Sequence, residues 1–242
     1  MAGVNASHER LSDDQDGIPT HSMQLLLPSW NPILAPATGD ADLTWAYPWP
    51  AGERLAQDLL ALQDTIPLLL GGRIAELGCG RGRSGLTALM HGAGSVRFCD
   101  LAPEPLAYVE EALQLNRLSE RGSVCRHTWG EAVPDGPYQV ILGADILYRP
   151  SYQRALLTSI AYSLAPGGCA LLADPRTTLE QELPIFAAEL GLTWSITRRP
   201  GPYTLAILRP GDLPPRRRIA DPTLLVQRLN HDTYPICRSC RS

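Results

Sequence analysis

Lysine is missing from this chain of 242 residues: all 21 basic residues are arginine. With abundant Ala, Gly and Pro, that pattern reads as the compositional bias of a GC-rich genome rather than as a functional device. Without lysine no Gly-Lys-Ser/Thr phosphate loop can form, so a triphosphate site is not expected. Excess positive charge is missing too. A net charge of −4 and a pI near 5.7 give no electrostatic reason to bind nucleic acid or an anionic membrane. No apolar stretch reaches the roughly 20 residues of a membrane span, and the first ten residues do not read as a signal peptide. We therefore expect a cytoplasmic protein. The six cysteines are scattered apart from Cys237-Arg-Ser-Cys240. One such pair is half a zinc site, and no second pair or His-x3-5-His completes it, so no metal is expected.

The chain is organised around Ile74-Ala-Glu-Leu-Gly-Cys-Gly-Arg-Gly82. An apolar run ends in an acid, glycines follow at alternate positions, and a helical pattern begins near Ser84. That order predicts a strand (73–77), a tight turn and a helix (84–91) whose N-terminal N–H groups face whatever the turn holds. The spacing is Gly-x-Gly-x-Gly, not the dinucleotide Gly-x-Gly-x-x-Gly. Glu76, just ahead of the first glycine, would repel a pyrophosphate but suits a cationic ligand. The next strand (95–100) closes on Asp100, placed to accept both hydroxyls of a ribose; capping of the helix that starts near Pro103 is the alternative.

Further acids and aromatics fall at strand ends. Trp129 follows a short strand around 124–127, at the carboxyl edge of a parallel sheet, where its indole could stack on a base or simply pack. The continuous apolar run 138–143 reads as a strand buried on both faces, and delivers Ala144-Asp145-Ile-Leu-Tyr148 to a pocket rim. A carboxylate at the end of a central strand is costly to bury unpaired, so Asp145 is read as a site residue. Before the turn, Trp45-Ala-Tyr-Pro-Trp49-Pro50 leads into an amphipathic helix carrying Leu55, Leu59, Leu62 and Ile66. Its aromatics either plug the sheet edge or wall a cation-binding pocket.

The remaining chain alternates helix and strand. Helices are predicted over 103–117, with Leu115 on its buried face, from Ser151 to about Leu164, and over 178–190, interrupted or kinked at Pro184. Strands are predicted at 169–173 and as a hairpin of 192–197 and 203–208. A short strand is expected at 23–27. Residues 1–20 are expected to be a disordered arm, 21–210 one domain with its lead-in, and 211–242 a tail containing Arg216-Arg-Arg218. Strand–helix alternation finished by a hairpin argues for a mostly parallel sheet with one antiparallel strand near its edge.

Glu76-Leu-Gly-Cys-Gly-Arg-Gly82 resembles the first motif of the S-adenosylmethionine-dependent class I (seven-strand) methyltransferases. Asp145-Ile-Leu-Tyr148 resembles the Asp/Glu-x-x-Tyr/Phe motif of the protein lysine methyltransferases in that class. Trp45-x-x-x-Trp49-Pro50 is similar to their lead-in, and Pro166-Gly-Gly168 to a turn common in the class. The resemblance covers about residues 43–210. It implies a Rossmann-like, doubly wound α/β fold with a seven-stranded sheet and helices on both faces. It implies S-adenosyl-L-methionine as cofactor, near Trp49, Glu76, Gly78, Gly80, Asp100, Leu101, Trp129 and Ala144. It further implies a protein lysine acceptor, with Asp145 and Tyr148 as the catalytic pair in a monomeric enzyme. Asp145 is assigned to gripping and orienting the amine, with general-base work as the alternative. The other functional readings are a small-molecule O- or N-methyltransferase on the same scaffold, or a non-catalytic nucleoside-binding relative.

Overall fold

The computed structural model describes residues 24–29, 44–176, 178–200 and 203–211. The expected disordered arm, the Arg216–Arg218 run and the Cys237/Cys240 pair lie outside the described residues.

Seven strands form one sheet: β1 (Arg73–Leu77), β2 (Ser95–Asp100), β3 (Gly122–Arg126), β4 (Tyr138–Ala144), β5 (Leu164–Asp174), β6 (Leu192–Arg199) and β7 (Tyr203–Pro210). Their order is β3-β2-β1-β4-β5-β7-β6, and β7 runs antiparallel to both of its neighbours. Alternation along the strands divides the core into two layers. Ile74, Val96, Phe98, Val140 and Leu171 face one way, against α1 (Pro50–Leu62), α2 (Arg83–Met90) and α3 (Pro103–Leu115). Ala75, Leu77, Ile141 and Leu172 face the other, against α4 (Pro150–Ser163), α5 (Thr178–Gln181) and α6 (Leu183–Glu189). Central strands apolar on both faces are what a sheet sandwiched between helices demands.

Several elements differ from the sequence expectation, each for a local reason. α1 stops at Leu62, so Ile66 is buried from the following turn rather than from the helix. Pro67 disfavours helical geometry at the residue before it. α3 ends at Leu115, which is exposed instead of buried, and Arg117 takes a positive φ of 56°. The helix expected over 178–190 is two helices. Pro184 sits in the first turn of α6, where its missing N–H is harmless, so of the two expected outcomes the helix is interrupted rather than kinked.

The expected strand near 23–27 is absent: residues 24–29 have no regular structure. Asn116 stands in for a neighbouring strand. Its Oδ1 accepts the Leu26 N–H at 2.9 Å and its Nδ2 donates to the Leu26 carbonyl at 2.6 Å. β5 begins earlier than expected, pairing at Leu164 with Tyr138 and again at Cys169 with Val140. The Pro-Gly-Gly stretch is thus absorbed as an irregularity inside the strand.

Candidate active site

The carboxyl ends of β1, β2, β4 and β5 meet where the sheet order reverses between β1 and β4, the crevice in which ligands of such sheets bind. Gly78 and Gly80 follow β1 with φ of 57° and 47°. A Cβ at Gly78 would stand 2.7 Å from Ile146 Cγ2, so the turn needs glycine there on two counts.

Two acids tie this turn down. Glu76 is buried, and its Oε2 accepts the Gly85 N–H at 3.0 Å, seating the first turn of α2. Burial pushes its carboxyl up to about 8, against the opposing pull of bonds from Gly85 and Ser84. Asp100 Oδ2 accepts the Gly80 N–H at 3.0 Å, and Oδ1 accepts those of Leu101 at 2.8 Å and Ala102 at 3.3 Å.

A cleft opens over the turn. Trp45, Tyr47, Trp49, Glu76, Gly78, Gly80 and Ala144 are among its lining residues. The lead-in is held there by its own contacts. Trp49 Nε1 donates to the Thr44 carbonyl at 2.7 Å, and the Tyr47 and Trp49 rings meet edge-on at 4.9 Å. Tyr108 on α3 adds a latch. Its hydroxyl accepts from Arg81 Nε and Nη2 at 3.1 and 2.8 Å and donates to the Pro28 carbonyl at 3.3 Å. Its ring meets Trp45 edge-on. Nothing in the helical pattern of 103–115 set Tyr108 apart from a packing residue.

Asp145 follows Ala144 and the last ladder residue of β4. It is 6 % exposed and holds a φ of 56°, a conformation Asp tolerates better than most residues. Oδ2 accepts the Ala51 N–H at 3.1 Å, so the acid caps the start of α1 from a distance, where no local side chain does. Oδ1 lies 3.5 Å from Arg176 Nη1. Burial raises the Asp145 carboxyl above its ordinary range; the Ala51 bond lowers it, Asp174 raises it and Arg176 lowers it.

Asp174 and Arg176 were not picked out from the sequence. Asp174 closes β5, is fully buried, and takes Arg176 Nη1 at 2.9 and 2.8 Å on its two oxygens. The signal is the one that marks Asp145, an acid ending an apolar run, but the strand expected at 169–173 stops one residue short of it.

The structure gathers five of the ten expected site residues, Trp49, Glu76, Gly78, Gly80 and Ala144, around the one cleft. Asp145 adjoins it through Ala144, and Asp100 through Gly80. Leu101 is exposed and meets the site through its N–H on Asp100. Trp129 is half-buried in the α4 layer, edge-on to Tyr152 at 6.3 Å, with its Cζ2 facing Gly78. Tyr148 is 46 % exposed, with the Arg149 guanidinium 5.7 Å from its ring centre.

Comparison with known proteins agrees with this architecture. The model of a family described as lysine methyltransferase matches residues 49–183. The electron transfer flavoprotein beta subunit lysine methyltransferase of Xenopus laevis is 29 % identical over 135 residues, 55 % of this chain and 53 % of that protein. The protein N-lysine methyltransferase METTL21A of Danio rerio is 34 % identical over 134 residues, 53 % and 60 % of the two chains. The ribosomal protein L11 methyltransferase of Pelobacter propionicus is 32 % identical over 157 residues, 64 % and 49 %. The chain thus spans about half the length of the curated relatives it matches. Among solved structures, a ribosomal protein L11 methylase from Lactobacillus delbrueckii subsp. bulgaricus shares the fold. Its TM-score is 0.53 at 19 % identity, over 66 % of this chain and 78 % of that one. With its seven-stranded sheet, its glycine turn and a family match over more than half its length, the chain belongs to the lysine methyltransferase family, whose cofactor is S-adenosyl-L-methionine.

Proposed function

We propose that this chain transfers a methyl group from S-adenosyl-L-methionine to a lysine side-chain nitrogen of a protein substrate. One observation carries the reading. A buried carboxylate, Asp145, stands at the end of the central strand β4, next to a cleft lined by a second buried acid and by aromatic rings.

The donor set fits the cofactor. A ligand bearing an ammonium and a sulfonium suits a cleft lined by Glu76 and by indole and phenol faces, which attract cations. Glu76 and the bare backbone at Gly78 and Gly80 would hold its amino-acid end. Asp100, oriented by three backbone N–H groups, would meet the ribose, and Trp129 the base. The cofactor supplies an electrophilic methyl group, and the protein supplies alignment and the exclusion of water.

A lysine acceptor must arrive without its proton. Lowering its pKa from about 10.4 to about 7 corresponds to roughly 4–5 kcal/mol. A bare carboxylate opposes that step by favouring the ammonium. Arg176 tempers the opposition by sharing Asp145 Oδ1. Asp145 is therefore assigned to gripping and orienting the amine. Tyr148 and Trp49, both partly exposed, would wall the entrance.

The reading includes a monomer in the cytoplasm. The compartment is supported by Cys79, Cys99, Cys125 and Cys169, all free thiols. Among the described residues no helix is long and apolar enough to cross a membrane.

The test uses purified protein, cofactor labelled in its methyl group and a lysate of the source organism, with Asp145→Asn as control. Methyl-lysine in hydrolysed lysate protein is the expected result. It cannot come from the enzyme, which contains no lysine. Label confined to small molecules would overturn the proposal. Asp145→Asn should lower turnover by about a hundredfold or more, with cofactor affinity nearly unchanged.

A further inference from the structure

Arg176 has more hydrogen-bonding capacity than its carboxylate partners use. Among the described residues, every bond of its side chain leaves from Nη1, to both oxygens of Asp174 and to Asp145 Oδ1. A guanidinium presents five N–H donors in one rigid plane. Its Nε and Nη2 donors make no bond among the described residues. The Arg176 side chain is 34 % exposed, whereas those of Asp145 and Asp174 are 2 % and 0 % exposed. Nη1 is thus turned inward onto two sealed carboxylates, and the remaining fork is the part left to the surface.

The arginine is also held in place. Its own N–H donates to Asp174 Oδ1 at 2.9 Å, and Asp174 Oδ2 accepts the Leu147 N–H at 3.4 Å. Asp145 N–H in turn donates to the Ala173 carbonyl at 2.9 Å. The ends of β4 and β5 therefore present a carboxylate and a guanidinium side by side in fixed register.

Resting on the reading of Asp145 above, we infer that Arg176 determines substrate choice by taking a carboxylate from a residue flanking the acceptor lysine, while Asp145 takes the amine. The shape of the open donors selects a carboxylate: a planar fork with adjacent Nε and Nη2 donors matches two carboxylate oxygens at once.

The test uses synthetic peptides with one central lysine flanked by Glu, by Gln or by Arg, assayed alongside the lysate. For the wild-type chain, kcat/KM should be about tenfold to a hundredfold higher with Glu than with Gln flanks, the range of a hydrogen bond to a charged group. Arg176→Gln should erase most of that preference through KM, and Arg176→Lys should keep part of it. Equal loss on the Glu and Gln peptides, as a purely structural arginine would give, overturns the inference. So does a wild-type enzyme indifferent to the flanks, a result that needs no variant to fold. Peptides all left unmethylated by an enzyme that labels lysate protein also overturn it, because the determinant is placed in the flanking residues. A weakened cofactor Kd in Arg176→Gln with the peptide KM unchanged assigns the guanidinium to the cofactor instead. Absence of methyl-lysine from peptides and lysate alike sinks the underlying reading of the site.

Discussion

At the scale of single residues, Glu76 is the acid whose surroundings demand most of it. Its carboxyl moves from an ordinary 4.5 to about 8 because burial penalises the charge more than the bonds from Gly85 and Ser84 favour it. The folded state therefore holds a proton that the unfolded chain has released between those values. Stability from this group is fully present below about pH 4.5 and is lost as pH rises through about 8. The slope is at most about 1.4 kcal/mol per pH unit. Urea denaturation of Glu76→Gln across that range should show the slope flattened. A cationic ligand reverses the preference, since it favours the ionised acid. Calorimetry near pH 6.5 in buffers of different ionisation heat should show about one proton released when S-adenosyl-L-methionine binds, and none for Glu76→Gln. An unchanged proton count in the variant would remove Glu76 from the cofactor site.

The scale of elements shows what could be read ahead of the structure and what could not. Strand ends were legible where an apolar run met a charged residue: β1 and β2 stand where the sequence put them, and β4 runs one residue past its expected end at Gly143. Proline effects were legible in kind, and at Pro184 down to two outcomes, interruption or kink. Pro184 divides two helices, and Pro67 leaves Ile66 outside α1, because a proline fixes its own φ but not where the preceding helix lets go. The site's connections were not legible at all. Asp145 to Ala51, Arg176 to Asp145 and Tyr108 to Pro28 join residues 31 to 94 positions apart, and no periodicity encodes them.

Helical glycines test the same point, because propensity predicts a gain at both Gly52 and Gly85. Alanine in place of glycine favours a helix by about 1 kcal/mol. At Gly52 in α1 a Cβ meets nothing within 4 Å, so Gly52→Ala should gain stability by up to that amount. At Gly85 in α2 the Cβ would lie 2.5 Å from Phe98 Cε1 and 2.6 Å from Glu76 Oε2. Overpacking of that kind costs about 1–3 kcal/mol, so Gly85→Ala should lose stability despite its better propensity. Chemical denaturation of the two variants decides whether packing or propensity rules these positions.

For the molecule as a whole, the sheet separates two apolar layers that share only its backbone. Leu89 of α2 lies in one and Leu157 of α4 in the other, both without exposed surface. Emptying either site should cost about 2–5 kcal/mol, through lost burial and the cavity left behind. The two cavities would have no neighbour in common, so the Leu89→Ala/Leu157→Ala double variant should lose the sum of the single losses to within about 0.5 kcal/mol. Cooperativity is the sharper test. β1, β4 and β5 send side chains into both layers, with Ile74 beside Ala75, Val140 beside Ile141 and Leu171 beside Leu172. Neither layer can loosen without uncovering strands on which the other rests. Urea unfolding followed by tryptophan fluorescence and by far-ultraviolet circular dichroism should therefore give one coincident transition in the wild type and in each single variant. A first transition confined to the α4–α6 side in Leu157→Ala would mean that the layers fold as separate units. The carboxyl edge of the sheet, where Asp145 and Asp174 meet Arg176 from adjacent strands, would then no longer be held by one rigid frame.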